Sequence, residues 1–332
     1  MAHRQQGVTV RSPLSWSARR RTWGPRSLRT AAVASVVAAV LIIVTGGVVR
    51  VTGSGLGCPE WPSCTGRSLA PTAEMGVHGA IEFGNRLLTG ALCAVVGWLI
   101  IAARLQRDPS RSVLRGAWAQ FWVVVLNAVV GGVTVWLRLS PYIVAAHFLA
   151  AALLLATATA TWVRVQQLDH EVSAPVVLPR RAVTLSRLLL TGTAVLLVVG
   201  TAVTGSGPHA GDSSDVHRMP FDWAGVTVVH GVIAAGCLVV GGLLFAVLPG
   251  GSPARGRTGV FLAVFVAQGA VGVFQSLTSL PSVAVVLHLC GSALVWAGAV
   301  RVTLAVRQHG AAVPVADRPS PRPARPTAAA DT

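Results

Sequence analysis

The sequence predicts an all-α, polytopic membrane protein whose eight transmembrane helices form two duplicated four-helix bundles. Three observations lead there. The 332 residues are 53% hydrophobic and only 11% charged, leaving too little polar side chain to cover a water-soluble domain of this length. Eight apolar stretches each supply the roughly 20 residues needed to cross about 30 Å of hydrocarbon. Short motifs in the first half of the chain recur, in order, in the second half.

The spans are 31–50, 78–103, 116–137, 142–163, 184–204, 223–248, 258–278 and 282–305. A basic tail, residues 1–29, precedes the first. That first span is too long for a signal peptide and lacks a small-residue cleavage site after it, so it reads as a retained helix. Residues 30–170 form the N-terminal four-helix half, 171–183 a linker, and 184–306 the C-terminal half. The segment 307–332 is rich in Pro, Ala and Arg and is expected to be disordered.

Every basic residue is arginine, which with the Ala, Gly and Val bias points to a GC-rich bacterial genome. The formal charge of +16 does not imply nucleic-acid binding, because the arginines sit in short clusters between apolar runs rather than on a polar domain. All but Arg50, Arg67, Arg86, Arg138 and Arg218 fall in the two tails, in the loops after the second, fourth and sixth spans, or, like Arg187 and Arg301, at the span ends that adjoin them. By the positive-inside rule both termini are cytoplasmic, in a multi-pass protein of a bacterial plasma membrane.

The duplication is read from matched offsets. Val51-Thr52-Gly53-Ser54-Gly55 returns as Val203-Thr204-Gly205-Ser206-Gly207, and Val77-His78-Gly79 as Val229-His230-Gly231, both 152 residues later. Asn127, Gly131 and His147 match Gln268, Gly272 and His288 at an offset of 141. Four helices per half preserve orientation, so the repeat is parallel.

His78, His147, His230 and His288 each lie in the first turns of an even-numbered span, which places all four near the outer face. One such histidine is equally well a hydrogen-bonded packing residue. Four at equivalent positions of a duplicated bundle suit haem ligation, since histidines on facing helices hold a haem iron from both sides and neutral imidazole is cheap to bury. Glu82 is the only carboxylate within the spans, one turn from His78, with Arg86 one turn further on. It is either half of a plain Glu82–Arg86 ion pair or a carboxylate set beside a substrate, able to stabilise a developing cation or take a proton.

The first outer loop reads Gly53-Ser54-Gly55-Leu56-Gly57-Cys58-Pro59-Glu60-Trp61-Pro62-Ser63-Cys64. Arg50, just before it, is placed to meet an anionic group such as a propionate, and Arg86 is a second candidate. Cys58 and Cys64 face the oxidising side and are close enough in sequence to bond, as a structural staple or as a reversible thiol pair. Cys93, Cys237 and Cys290 lie in spans, where a thiol is usually a packing residue.

This loop, the Ile81-Glu82-Phe83-Gly84-Asn85-Arg86 segment and the histidines of the fourth, sixth and eighth spans resemble the haem A synthases over roughly residues 30–305. The resemblance implies an oxidoreductase that converts the C8 methyl of haem O to a formyl group for cytochrome oxidase. It implies haem O as substrate in the N-terminal half and a haem b cofactor between His230 and His288 in the C-terminal half. It makes Glu82 the catalytic residue. The partners it implies are haem O, the lipid bilayer, the farnesyltransferase that makes haem O and oxidase assembly proteins, with a homo-oligomer compatible.

The chain departs from the family at Asn85, where a histidine is common. His78 then either replaces that histidine as the partner of His147, as its offset to His230 suggests, or the substrate site keeps one histidine. The loop Gly205 to Asp222 has no cysteine, which excludes the second disulfide found in some relatives. The competing classes are a b-type di-haem quinol cytochrome, which has less need of Glu82 or the cysteine loop, and a repeat-built transporter, which leaves the histidines unexplained.

Overall fold

The computed structural model describes residues 22–168, 178–209, 211–212 and 216–310. Most of the basic tail, most of the linker and nearly all of the C-terminal tail lie outside these residues. Among the described residues there are eight helices long and apolar enough to cross a membrane. They are α1 (Pro25–Val51), α2 (Gly76–Arg104), α3 (Arg111–Trp136), α4 (Pro141–Gln167), α5 (Arg180–Ser206), α6 (Trp223–Val247), α7 (Pro253–Leu277) and α8 (Ser282–Gly310). A single 3-10 turn, Ala73–Met75, leads into α2. The chain is an all-α, multi-pass membrane protein.

Most helices run beyond the apolar stretches that announce them. At 25 to 29 residues each, they are about 38–44 Å long at 1.5 Å per residue, against about 30 Å of hydrocarbon. The surplus turns carry the arginines, Arg26 and Arg29 on α1 or Arg180 and Arg181 on α5. Hydropathy alone stops at those residues; backbone hydrogen bonding does not. The starts follow ordinary capping rules. Pro25, Pro141 and Pro253 occupy first-turn positions that need no N–H donor. The Asp222 carboxylate and the Ser252 hydroxyl accept from the main-chain N–H of Gly225 and Arg255, at 2.7 and 3.2 Å.

Within each half the four helices pack as a ring: α1 on α2, α2 on α3, α3 on α4, α4 back on α1, and likewise α5 to α8. The halves meet where α8 contacts α1 and α4 and where α4 contacts α5. One core gathers Ile43, Leu92, Leu99 and Leu155 with alanines such as Ala32 and Ala103. The second gathers Leu189, Leu244, Phe261, Phe265 and Val302. Small residues let helix backbones approach where lipid provides no hydrophobic drive. At the seam Gly47 leaves room for the Leu289 side chain, and the Trp296 indole donates to the Ala152 carbonyl at 2.8 Å.

The duplication reaches the backbone. The α3–α4 turn holds Arg138 and Leu139 in the left-handed region (φ 45° and 60°), and the α7–α8 turn does the same with Ser279 and Leu280 (59° and 57°). Each pair is 141 residues apart. Leu139 N–H donates to Thr134 O and Leu280 N–H to Gln275 O, both at 2.9 Å. Non-glycine residues in this conformation cost about 1–2 kcal/mol each, so a shared exception at matched positions speaks for common descent of the two turns.

Candidate functional site

At the start of α2 the loop that follows α1 is tied down from several directions. Cys58 and Cys64 are joined by a disulfide. The buried Glu82 carboxylate, 6% exposed, accepts from Cys58 N–H through Oε2 at 2.6 Å and from the Arg86 guanidinium through Oε1 at 2.5 Å. Arg86 goes further and donates to three loop carbonyls: Cys58 at 3.0 Å, Glu60 at 2.8 Å and Ser63 at 3.0 Å. A planar guanidinium with five donors suits this fan of acceptors; an ammonium does not. The loop also rests on α3, where a side chain at Gly132 would lie 2.7 Å from the Trp61 indole. Trp61 meets Trp136 edge-on, with ring centroids 5.7 Å apart.

The four histidines are not equivalent. His230 of α6 and His288 of α8 face each other, ring centroids 6.5 Å apart. An imidazole nitrogen lies about 2 Å from a bound metal ion, so two rings on opposite sides of one iron come out roughly 6 Å apart between centres. The pair therefore fits a haem iron. The rings of His147, His230 and His288 lie beside main-chain carbonyls of the preceding helix, those of Asn127, Leu196 and Gln268. Their Nδ1 atoms are sealed from solvent without completing a hydrogen bond. Glycines make the space: a Cβ at Gly131 or Gly272 would sit 3.0 Å from Cε1 of His147 or His288, and one at Gly200 would sit 3.2 Å from Cε1 of His230.

His78 takes a different posture. Its Nδ1 is 2.9 Å from the Ser54 hydroxyl, which is 2.8 Å from Thr52 Oγ1. Among the described residues it makes no ring contact with His147 like that between His230 and His288. It lines a cleft of about 630 Å³ together with Gly57, Pro59, Trp136, Arg138 and Asp212. Asn85, where relatives often carry histidine, accepts a hydrogen bond from Thr45 of α1 at 2.7 Å.

Arg50 does not turn toward its own half. Its guanidinium donates to the Thr204 carbonyl near the end of α5 at 2.8 Å, and its Nε is sealed from solvent with no partner. The loops that follow α1 and α5 join here: Ser54 pairs with Asp212, and Gly55 N–H donates to Gly211 O at 2.8 Å. Arg218 donates to the carbonyls of Gly207 and Pro208.

Of the residues singled out in the sequence, the structure brings Cys58, Cys64, Glu82 and Arg86 into one cluster and His230 and His288 into another. His147 stands on α4 against Gly131, His78 bonds Ser54, and Arg50 bridges the halves. Arg86 is occupied by the loop, so a propionate there would have to share it with three carbonyls. Sequence reasoning missed Trp61 as a wedge on α3, Ser54 as the partner of His78 and Arg218 near Arg50. The Gly131-Gly132 pair in an otherwise bulky helix was the one visible signal for the first.

Residues 29–300 match the family model described as Cytochrome oxidase assembly protein. Among similar curated proteins, a heme A synthase of Lysinibacillus sphaericus is 36% identical over 125 residues, 37% of this chain and 40% of that protein. One from Geobacillus thermodenitrificans is 31% identical over 117 residues, 34% of each chain, and one from an Exiguobacterium species is 32% identical over 115 residues, 33% of this chain and 36% of that protein. The aligned stretches thus span no more than about two fifths of these relatives' lengths. The family model, by contrast, runs from α1 into α8 across both bundles and both histidine sites. The chain belongs to the cytochrome oxidase assembly protein family.

Proposed function

We propose that this protein is a haem A synthase, an oxidoreductase that converts the C8 methyl of haem O to a formyl group for cytochrome oxidase. The observation that carries the reading is Glu82, the only carboxylate in the eight helices, held by Cys58 N–H and Arg86 at the outer end of the N-terminal half. A b-type electron carrier has less need of such a mount. The curated relatives named heme A synthase support the same reading.

In this reading haem O occupies the N-terminal half with His147 toward its iron. Its farnesyl tail stays among acyl chains, so the substrate is never extracted into water. Water is the oxygen source. Methyl to hydroxymethyl releases two electrons and two protons as one water oxygen is added; hydroxymethyl to formyl releases two more of each. Removing electrons from the methyl carbon develops positive charge, which a fixed carboxylate stabilises better than mobile water does. Cys58 N–H and Arg86 use about two of the carboxylate's four acceptor sites, leaving the others for the substrate side or for a released proton. Arg86 acts as a positioning residue that fixes Glu82 and the loop together.

His230 and His288 would hold haem b, which when bound supplies an exit for the electrons. Both termini face the cytoplasm of a bacterium, and the partners are the farnesyltransferase that delivers haem O and the oxidase assembly machinery that receives haem A.

The test is haem extraction and chromatography from membranes of a host that makes haem O but no haem A. Wild type should produce haem A and Glu82→Ala should not, while both retain haem b. A wild type that carries haem b alone, with no haem A formed, would replace the synthase with the electron-carrier reading.

A further inference from the structure

We propose that Arg50, a residue of the N-terminal half, is the anchor for a carboxylate of the haem held in the C-terminal half, so that the cofactor site is completed across the seam between the bundles. This rests on the reading of His230 and His288 as its axial pair.

The guanidinium reaches the carbonyl of Thr204 on α5. Thr204 lies one helical turn beyond Gly200, whose α-carbon faces the His230 ring, and Thr204 Oγ1 donates back to the Gly200 carbonyl at 2.8 Å. Arg50 therefore stands about one turn outward of the histidine pair, on the outer side of the same socket. Its Nε is buried without a partner. The charge of a second cation, Arg218, acts on it. A guanidinium buried beside another arginine is unfavourable unless an anion completes the cluster. A propionate is an anion of the right size, geometry and location, and arginine is the side chain that grips carboxylates with paired donors.

The duplication makes the arrangement one-sided. The position equivalent to Arg50, at the offset of 152, is Ala202. No corresponding arginine can reach back to the substrate half. A fixed positive charge beside a haem favours its reduced state, so Arg50 raises the potential of the haem held in the C-terminal half.

The experiment compares purified wild type, Arg50→Gln, Arg50→Lys and the surface control Arg67→Gln for haem b content and for haem b midpoint potential by redox titration. Haem b dimethyl ester, which has no free propionates, is also supplied to wild type in a haem-deficient host. Arg50→Gln should lower the potential and the retained haem b, Arg50→Lys should recover most of both, and Arg67→Gln should match wild type. The ester in wild type should match Arg50→Gln in its loss of haem retention but move the potential the opposite way, upward, because the carboxylate charge and not the guanidinium is removed; this decides the matter even if Arg50→Gln fails to accumulate. Full haem content with an unchanged potential in Arg50→Gln, or an ester indistinguishable from haem b in wild type, would overturn the inference. A wild type that holds no haem b instead refutes the cofactor reading itself.

Discussion

Replacing Arg86 by methionine removes a cation from two roles at once. It leaves Glu82, with its side chain 8% exposed, without its charge partner, and it releases the carbonyls of Cys58, Glu60 and Ser63. Stranding one member of a buried ion pair costs about 3–5 kcal/mol, and each carbonyl bond to a charged donor is worth about 1.5–3 kcal/mol before neighbouring effects overlap. The penalty is local, because the loop can lift while the bundles stay packed. Taking only the ion-pair share, at tenfold per 1.4 kcal/mol the lifted population rises by roughly 10²-fold to roughly 4 × 10³-fold. The assay is the rate at which a membrane-impermeant reductant, added from the outer face, opens the Cys58–Cys64 disulfide, followed by alkylation and mass spectrometry. Arg86→Met should accelerate reduction by that factor. Arg86→Lys, which keeps the charge and loses the fan of carbonyl bonds, should fall between. Glu82→Gln with Arg86→Met should recover part of the loss, because an amide accepts the Cys58 bond without needing a counter-charge. A reduction rate for Arg86→Met within threefold of wild type, or a double variant faster than the single one, would refute the clamp.

Three further outcomes follow from the geometry. Gly132→Ala pushes a methyl against the Trp61 ring, 2.7 Å away, and should unseat the loop at a cost of about 1–3 kcal/mol; haem A formation should fall while haem b content, measured in the same membranes, stays at wild-type level. Gly272→Ala crowds His288 at 3.0 Å and should change the low-spin absorption or magnetic resonance signature of haem b, whereas Gly131→Ala, its counterpart beside His147, should leave that signature intact and reduce haem A alone. Ser279→Gly relieves a left-handed residue with φ of 59° at an exposed position and should stabilise the protein by about 1 kcal/mol, read as a raised melting temperature in detergent; no change would mean that the turn tolerates serine without strain.

The eight spans were legible because crossing hydrocarbon demands one long apolar run per helix, and little else in the chain competes with that signal. The helix ends were not, since arginine-bearing turns remain helical after they leave the apolar layer. The offsets marked four equivalent histidines and the resemblance paired His230 with His288, whose rings do face each other; neither anticipated the bond of His78 to Ser54. Ser54 and Ser206 are equivalent in sequence, yet Ser54 bonds His78 while the Ser206 hydroxyl is buried without a partner. Which posture a histidine takes depends on the loop folded above it, and that loop differs between halves. Arg86 read as an ion-pair partner because Glu82 lies four residues away. Its three carbonyl contacts come from residues 23 to 28 positions earlier, a relation no local pattern encodes.

A duplicated bundle begins with two equal sockets, and the positions at which the copies have since diverged separate their roles. Glu82 and Arg86 correspond to Ala234 and Leu238, so only the first copy retains a carboxylate and the cation that positions it. Arg50 corresponds to Ala202, so only the first copy carries an arginine here that crosses to the other half. Val48 corresponds to Gly200, the glycine whose missing side chain lets the His230 ring stand close to α5. The disulfide-bearing segment has no cysteine counterpart in Gly205 to Asp222. In the proposed reading each difference adds chemistry to the first half or a tighter hold to the second. A catalyst must admit a substrate and release a product, which favours one histidine and an open cleft. A resident cofactor must stay, which favours two histidines, close-packed glycines and a buried arginine. Transplanting Glu82 and Arg86 onto the equivalent positions of the second half would therefore not create a second active site, because the socket there is built to retain its ligand rather than exchange it.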